Sequence, residues 1–187
     1  MAHSALLIID VQLSFLHRSF WSETDVPAFK QALTALIDGC QRQNVALVDI
    51  LHNNGDEGVF GLKSGLVKRM PFLTHTPQAT FIKHVHNALT ESGLHEWLHS
   101  RGIEHLIIAG IRTEQCCETT ARVASDLGYR VTFVTDATLT FAMTHAGRTL
   151  SAADLKHHTE TVLTDRFAAI RSVEQCLAEI TPSTVSD

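Results

Sequence analysis

An α/β fold, a three-layer αβα sandwich around a six-stranded mostly parallel sheet, is what this sequence predicts, and two observations predict it. The first is a set of short apolar runs separated by longer stretches of helical periodicity: ALLIID (5–10), VALVDI (45–50), ATFIK (79–83), HLIIAG (105–110), RVTFVTDA (130–137) and TVLT (161–164). The second is that these runs are apolar almost throughout instead of alternating. Strands of that kind are buried on both faces, and parallel pairing needs the helical crossovers that lie between them. At 187 residues the chain is read as a single domain, 1–187, long enough to bury a full core.

The elements follow in order. After the first run, a helix is expected over 27–42, with Pro27 near its start and Ala28, Ala32, Ala35, Leu36 and Cys40 on its buried face. The segment 52–78 fits neither period; Gly55, Gly58, Gly61, Gly65 and Pro71 break it into turns, which suits a lid, a binding loop or an insertion. Leu94, Trp97 and Leu98 mark a second helix closed by Gly102. The fourth run reaches Gly110, Thr113 serves as N-cap, and a helix runs to Leu127 with Gly128 closing it. Phe167, Ile170, Val173, Cys176 and Leu177 share a face of the last helical pattern, and the end at 184–187 is expected to fray.

Composition narrows the function. The formal charge of -5, with no Lys/Arg cluster, offers nothing to a nucleic-acid backbone or an anionic membrane, so the expected partner is a small molecule. The first apolar run is too short for a signal peptide, and a cytoplasmic location is expected. Four cysteines lack metal-ligand spacing and are read as thiols in a reducing compartment. No GxGxxG follows a strand, which disfavours dinucleotide binding.

The side-by-side cysteines in AGIRTEQCCETTARVASDLGYRV (109–131) carry the chemical question. Counting from Thr113, Cys116 is the third helical position, where the helix dipole favours a thiolate. Cys117 heads the row Cys117, Thr120, Ala121, Ala124 and Gly128, whose small side chains suit close packing on a sheet, so it is read as core. Ligands of parallel sheets bind beyond the carboxyl ends of the strands. Asp10 ends the first run, Lys83 the third, and Cys116 follows the fourth: a proton acceptor, a charge stabiliser and a nucleophile at one rim.

Three stretches, LLIIDVQLSF (6–15), FIKHVHNAL (81–89) and AGIRTEQCCETTARVASDLGYRVTFVTDA (109–137), resemble the isochorismatase-like cysteine hydrolases, a family that includes nicotinamidases and N-carbamoyl amide hydrolases. The resemblance runs loosely from about residue 5 to 180. It implies a Rossmann-like fold, an Asp10, Lys83, Cys116 triad, and a cis peptide at Ile111-Arg112. It further implies an oxyanion hole made by the backbone N–H groups of Arg112 and Cys116, and a homo-oligomer, dimer or tetramer. The sequence departs from nicotinamidases at their Asp-x-His metal pair, since two residues separate Asp49 from His52, and neither a metal nor another cofactor is expected. His84 and His86 are read as solvated.

These readings converge on a hydrolase that cleaves a small amide-type C–N bond through a thioester acyl-enzyme. The alternatives are an isochorismatase-type vinyl-ether or other non-acyl hydrolase, and a thiol redox sensor using Cys116 and Cys117. Phe15, Trp21, Phe60, Phe141 and His145 are the candidate pocket residues.

Overall fold

The computed structural model describes residues 3–180, so the expected frayed end at 184–187 lies outside the described residues. Its centre is one six-stranded sheet in the order β3-β2-β1-β4-β5-β8, with every neighbouring pair parallel. The strands are β1 (His3–Ile9), β2 (Ala46–His52), β3 (Ala79–Lys83), β4 (Ile103–Ile111), β5 (Arg130–Leu139) and β8 (Ala169–Ile170). The helices are α1 (Val26–Arg42), α2 (Leu94–Ser100), α3 (Glu118–Asp126), α4 (Ala152–Leu163) and α5 (Val173–Ile180). Between β5 and α4 an antiparallel hairpin, β6 (Met143–His145) and β7 (Arg148–Leu150), stands apart from the sheet.

Two cores explain the uniformly apolar strands. Leu6, Ile8, Leu47, Ile107 and Ala109 meet Phe29, Leu33 and Leu36 of α1 and Cys176 of α5 on one face. Ala5, Leu7, Ile9, Val48, Ile50 and Ile108 meet Leu94 and Leu98 of α2 and Cys117, Ala121 and Ala124 around α3 on the other. Successive residues point to opposite faces and both faces are covered, so most strand positions are apolar, and the buried polar exceptions such as Asp49, His105 and Thr132 are hydrogen-bonded. The middle strand β1 crosses the chain's order: β2 and β3 lie to one side of it and β4, β5 and β8 to the other. The C-terminal ends of β1 and β4 therefore form a switch point, where a crevice opens. Gly110 is required there, since it has φ +129° and an added Cβ would lie 2.0 Å from the Ile9 carbonyl oxygen.

Several sequence expectations need correction. The buried face of α1 is Val26, Phe29, Leu33, Leu36, Ile37 and Cys40, whereas Ala28 and Ala35 are exposed. The run TVLT is not a strand. It lies at the end of α4, whose capping box of Ser151 and Asp154 starts a helix that buries Leu155, Thr159 and Leu163 at four-residue spacing. The sixth strand is the two-residue β8, which pairs with Thr132 and Phe133. Phe167 and Ile170 thus precede the last helix instead of belonging to it.

The stretch 53–78 holds one short 3-10 turn, Leu62–Ser64, and is fastened at many points. Met70 N–H donates to the Val11 carbonyl and Leu13 N–H to the Lys68 carbonyl, while the Gln78 side chain accepts from Leu47 N–H. No helix among the described residues is long and apolar enough to cross a membrane.

Candidate active site

Each strand end at the switch point contributes one reactive group. Asp10 follows β1 with φ +55°, a left-handed turn that non-glycine residues adopt at some cost. His52 ends β2 and Lys83 ends β3, and the two are register partners. Cys116 lies in a π-helical turn, Thr113–Cys117, between β4 and α3.

Thr113 is not the N-cap expected from the sequence. Arg112 holds that place, the amides of Gln115 and Cys117 both close on its carbonyl oxygen, and the Thr113 hydroxyl donates instead to Thr138 Oγ1. The peptide Ile111-Arg112 is cis, as the resemblance implies.

Lys83 is fully buried. An ammonium has three N–H donors, and three acceptors take them: Asp10 Oδ2 at 2.9 Å, His52 Nδ1 at 2.9 Å and Cys116 Sγ at 3.4 Å. His52 accepts at Nδ1, so its own hydrogen is on Nε2, which faces Asn54 Oδ1 at 2.6 Å. Burial and the neighbouring Lys83 hold His52 below its ordinary value, in keeping with a neutral ring.

Burial raises the Asp10 carboxyl above its ordinary value, with Lys83 opposing the shift. Burial also pushes the Cys116 thiol up to about 12, helped by the nearby Asp10 charge and opposed by Lys83. This corrects the thiolate expected from a helix start: the resting group is a thiol beside a carboxylate with raised proton affinity. Cys117 is fully buried and pushed well up by burial, in agreement with its reading as core.

Above the cluster lies a pocket of about 290 Å³ with Asp10, His52 and Cys116 at its base. Phe15 and Phe60 form one wall, edge to face at 5.0 Å, and Phe20 extends it. Arg112 borders the pocket too, with its guanidinium 4.8 Å over the Phe20 ring and 3.1 Å from Glu114. Arg18, Asn54, His86 and Gln115 complete the rim.

Of the five pocket candidates from the sequence, Phe15 and Phe60 line this space. Trp21 and Phe141 pack on each other at 5.1 Å, with Phe141 also against Phe20, so they back the wall from behind. His145 is exposed on β6, away from the pocket lining. The sequence reading missed His52 as a partner of Lys83, and Arg18, Phe20 and Asn54 as lining. The signal for His52 was its place at the end of an apolar strand beside the Lys83 strand. A larger groove of about 720 Å³ runs between α1 and the starts of α4 and α5, carrying the exposed Ala28 and Ala35, and its lining holds no cysteine.

The residues do not fit the nicotinamidase metal pair. Asp49 points to the other face of β2, where Arg69 and His75 hold it at 3.0 and 2.8 Å. Donor atoms of Asp10, His52 and Cys116 do lie within 4.8 Å of one another, which is close enough for a shared ion. The Lys83 ammonium already bonds all three, and a second cation among them would meet its charge.

A family model for the isochorismatase domain matches residues 4–182. Nicotinamidase 3 of Arabidopsis thaliana is 33% identical over 153 residues, which cover 74% of each chain. The isochorismatase family protein YrdC of Bacillus subtilis (strain 168) is 26% identical over 183 residues, 92% of this chain and 94% of that one. The solved structure of a cysteine hydrolase from Pseudomonas syringae pv. phaseolicola 1448A superposes with a TM-score of 0.86 over 95% of this chain and 92% of its own, and at 19% identity it shares the fold. With the family model covering nearly the whole chain and the switch-point fold in place, the protein is a hydrolase of the isochorismatase family.

Proposed function

We propose that the protein hydrolyses an amide-type C–N bond of a small molecule through a thioester on Cys116. The observation that carries this reading is the shared Lys83 ammonium, which joins a carboxylate of raised proton affinity to a protonated thiol at the base of a pocket. Similarity to a nicotinamidase points the same way.

Asp10 takes the Cys116 proton as sulfur attacks the substrate carbonyl, so no free thiolate has to exist beforehand. The backbone N–H groups of Arg112 and Cys116 receive the oxyanion. Asp10 returns the proton to the leaving nitrogen, the C–N bond breaks, and a thioester remains. Asp10 then accepts a proton from water as the water attacks the thioester; the C–S bond breaks, Asp10 returns that proton to Cys116 Sγ, and the acid leaves. Lys83 stabilises the ionised carboxylate at each stage, and His52 fixes the direction of the ammonium.

The test is a screen of small primary amides for ammonia release with the wild type and Cys116→Ser, joined to intact-mass detection of an acyl adduct after rapid acid quench. Turnover that needs Cys116, with a mass increase equal to the acyl group, is the expected result. Undiminished turnover by Cys116→Ser would assign the chemistry to a non-acyl route.

A further inference from the structure

We propose that the substrate carries a negative charge, a carboxylate or a comparable anion, at the end away from the scissile amide, and that Arg18 receives it. The proposal rests on the amide-hydrolase reading and deepens it.

Three charged side chains line the pocket: Asp10, Arg18 and Arg112. Asp10 is spent on Lys83 at 2.9 Å. Arg112 is spent on Glu114 at 3.1 Å and on the Phe141 carbonyl at 2.8 Å. Arg18 has no carboxylate partner among the described residues; its guanidinium rests 5.4 Å from the centre of the Phe20 ring. The pocket therefore presents one uncompensated positive charge, and it belongs to the rim and not to the base.

Each kind of substrate meets that charge differently. A cationic amide would face Arg18 with no free carboxylate to hold it, because the one carboxylate in the lining is engaged below. A neutral amide would offer the exposed Arg18 guanidinium no charge to pair with, so Arg18 would add little to its binding. An anion collects charge-assisted bonds from a planar fork of donors, the geometry that guanidinium offers a carboxylate. The side-chain amides of Asn54 and Gln115 border the same space and can add neutral donors.

The protein's overall charge of -5 sharpens the point. Its long-range field repels an anion, so an anionic substrate needs a local cation at the mouth, and Arg18 supplies one. Between rim and nucleophile, Phe15, Phe20 and Phe60 offer ring surface to a flat apolar middle. The volume of about 290 Å³ keeps the whole molecule small.

Three amides of matched core test the idea: 3-carbamoylbenzoate, benzamide and 3-(aminomethyl)benzamide, assayed with the wild type, Arg18→Gln and Arg18→Lys. The wild type should prefer the carboxylate over benzamide by roughly tenfold in kcat/KM, mostly through KM, with the cationic amide poorest. Arg18→Gln should collapse that ratio and Arg18→Lys should keep part of it. A wild-type preference for benzamide, or a ratio unmoved by Arg18→Gln, overturns the proposal and leaves amide hydrolysis standing.

A binding readout separates the two ideas if none of these amides is turned over. Benzoate should slow iodoacetamide labelling of Cys116 at mildly alkaline pH, more than benzamide does, and the protection should weaken in Arg18→Gln. Equal protection by both, or none, overturns the anion site.

Discussion

Asp10 and Asp49 are each about 1% exposed, lie on neighbouring strands near their C-terminal ends, and each face a cation and a histidine. Asp49 spends both oxygens, Oδ1 on His75 at 2.8 Å and Oδ2 on Arg69 at 3.0 Å, and Arg69 also donates to the His75 carbonyl at 2.9 Å. Asp10 holds Lys83 through Oδ2, and its other side-chain partner is the Cys116 thiol. The first arrangement is saturated and ties the stretch 53–78 to β2. The second keeps a buried lone pair near a thiol under a pocket. What makes the buried carboxylate reactive here is its neighbour: burial raises its proton affinity, and the group beside it on the pocket side is the Cys116 thiol and not a second cation.

The largest effect that can break this contrast is on turnover. Cys116→Ala and Asp10→Asn should each lower kcat/KM on an amide substrate by about a thousandfold or more, since they remove the nucleophile and the base. Asp49→Asn should leave the chemistry per folded molecule close to wild type. A collapse of kcat in folded Asp49→Asn would show that the second cluster takes part in the reaction.

Stability should divide the clusters another way. Lys83→Met removes one partner of a fully buried ion pair and should cost about 3–5 kcal/mol, unless Asp10 relieves it by taking a proton. Adding Asp10→Asn should recover much of that loss while activity stays absent, because the remaining groups are neutral. Arg69 is about one-third exposed, so Arg69→Ala should cost less, about 1–3 kcal/mol. Urea titrations followed by circular dichroism measure all three. No recovery in the double variant would mean that the Lys83 site demands a hydrogen-bonding group for folding as well.

Much of this was legible in the sequence, and the reason is the parallel sheet. Five of the six apolar runs are strands, since a strand covered on both faces has a composition no surface segment shares. The strand ends then delivered Asp10, Lys83 and Cys116 to one rim without any knowledge of loops. TVLT misled because four β-branched and apolar residues suit a buried helix end as well as a strand, and the Ser151/Asp154 capping box upstream decides between them. Thr113 looked like an N-cap by type, but its hydroxyl is used across to β5. The thiolate expectation weighed a helix end and left out burial, which pushes Cys116 the other way. Arg18, Phe20 and Asn54 come from irregular segments whose paths have no period, so only the folded chain shows which of their side chains converge.

The smallest expected effect concerns His52, the histidine that bonds the cation at the Asp10 site where His75 bonds the carboxylate at the Asp49 site. Its contribution is an acceptor at Nδ1 for the third N–H of Lys83. Asparagine places a carbonyl oxygen near that position, whereas the longer glutamine places one further out, and leucine supplies none. His52→Asn should therefore keep most of kcat, while His52→Gln and His52→Leu lose between about tenfold and a hundredfold, the range expected when a reacting group is misaimed. The pH profile adds a readout that packing alone would not move. The groups facing His52 are Lys83, Asp10 and His86, whose ring centre is 6.3 Å away. Burial and Lys83 lower the His52 value from 6.5, so the ring takes a proton only on the acid side of that point, and Nδ1 then becomes a donor aimed at an ammonium. Asp10, raised from 3.8, loses its role as base on the same side as it takes a proton. Wild-type kcat/KM should fall with acid through two protonations and His52→Asn through one, giving a shallower limb. Toward alkaline pH the Cys116 thiol, pushed up to about 12, stays protonated and imposes no limb of its own near neutrality. Identical acid limbs in the two proteins would remove His52 from the reacting unit and leave it a wall of the pocket.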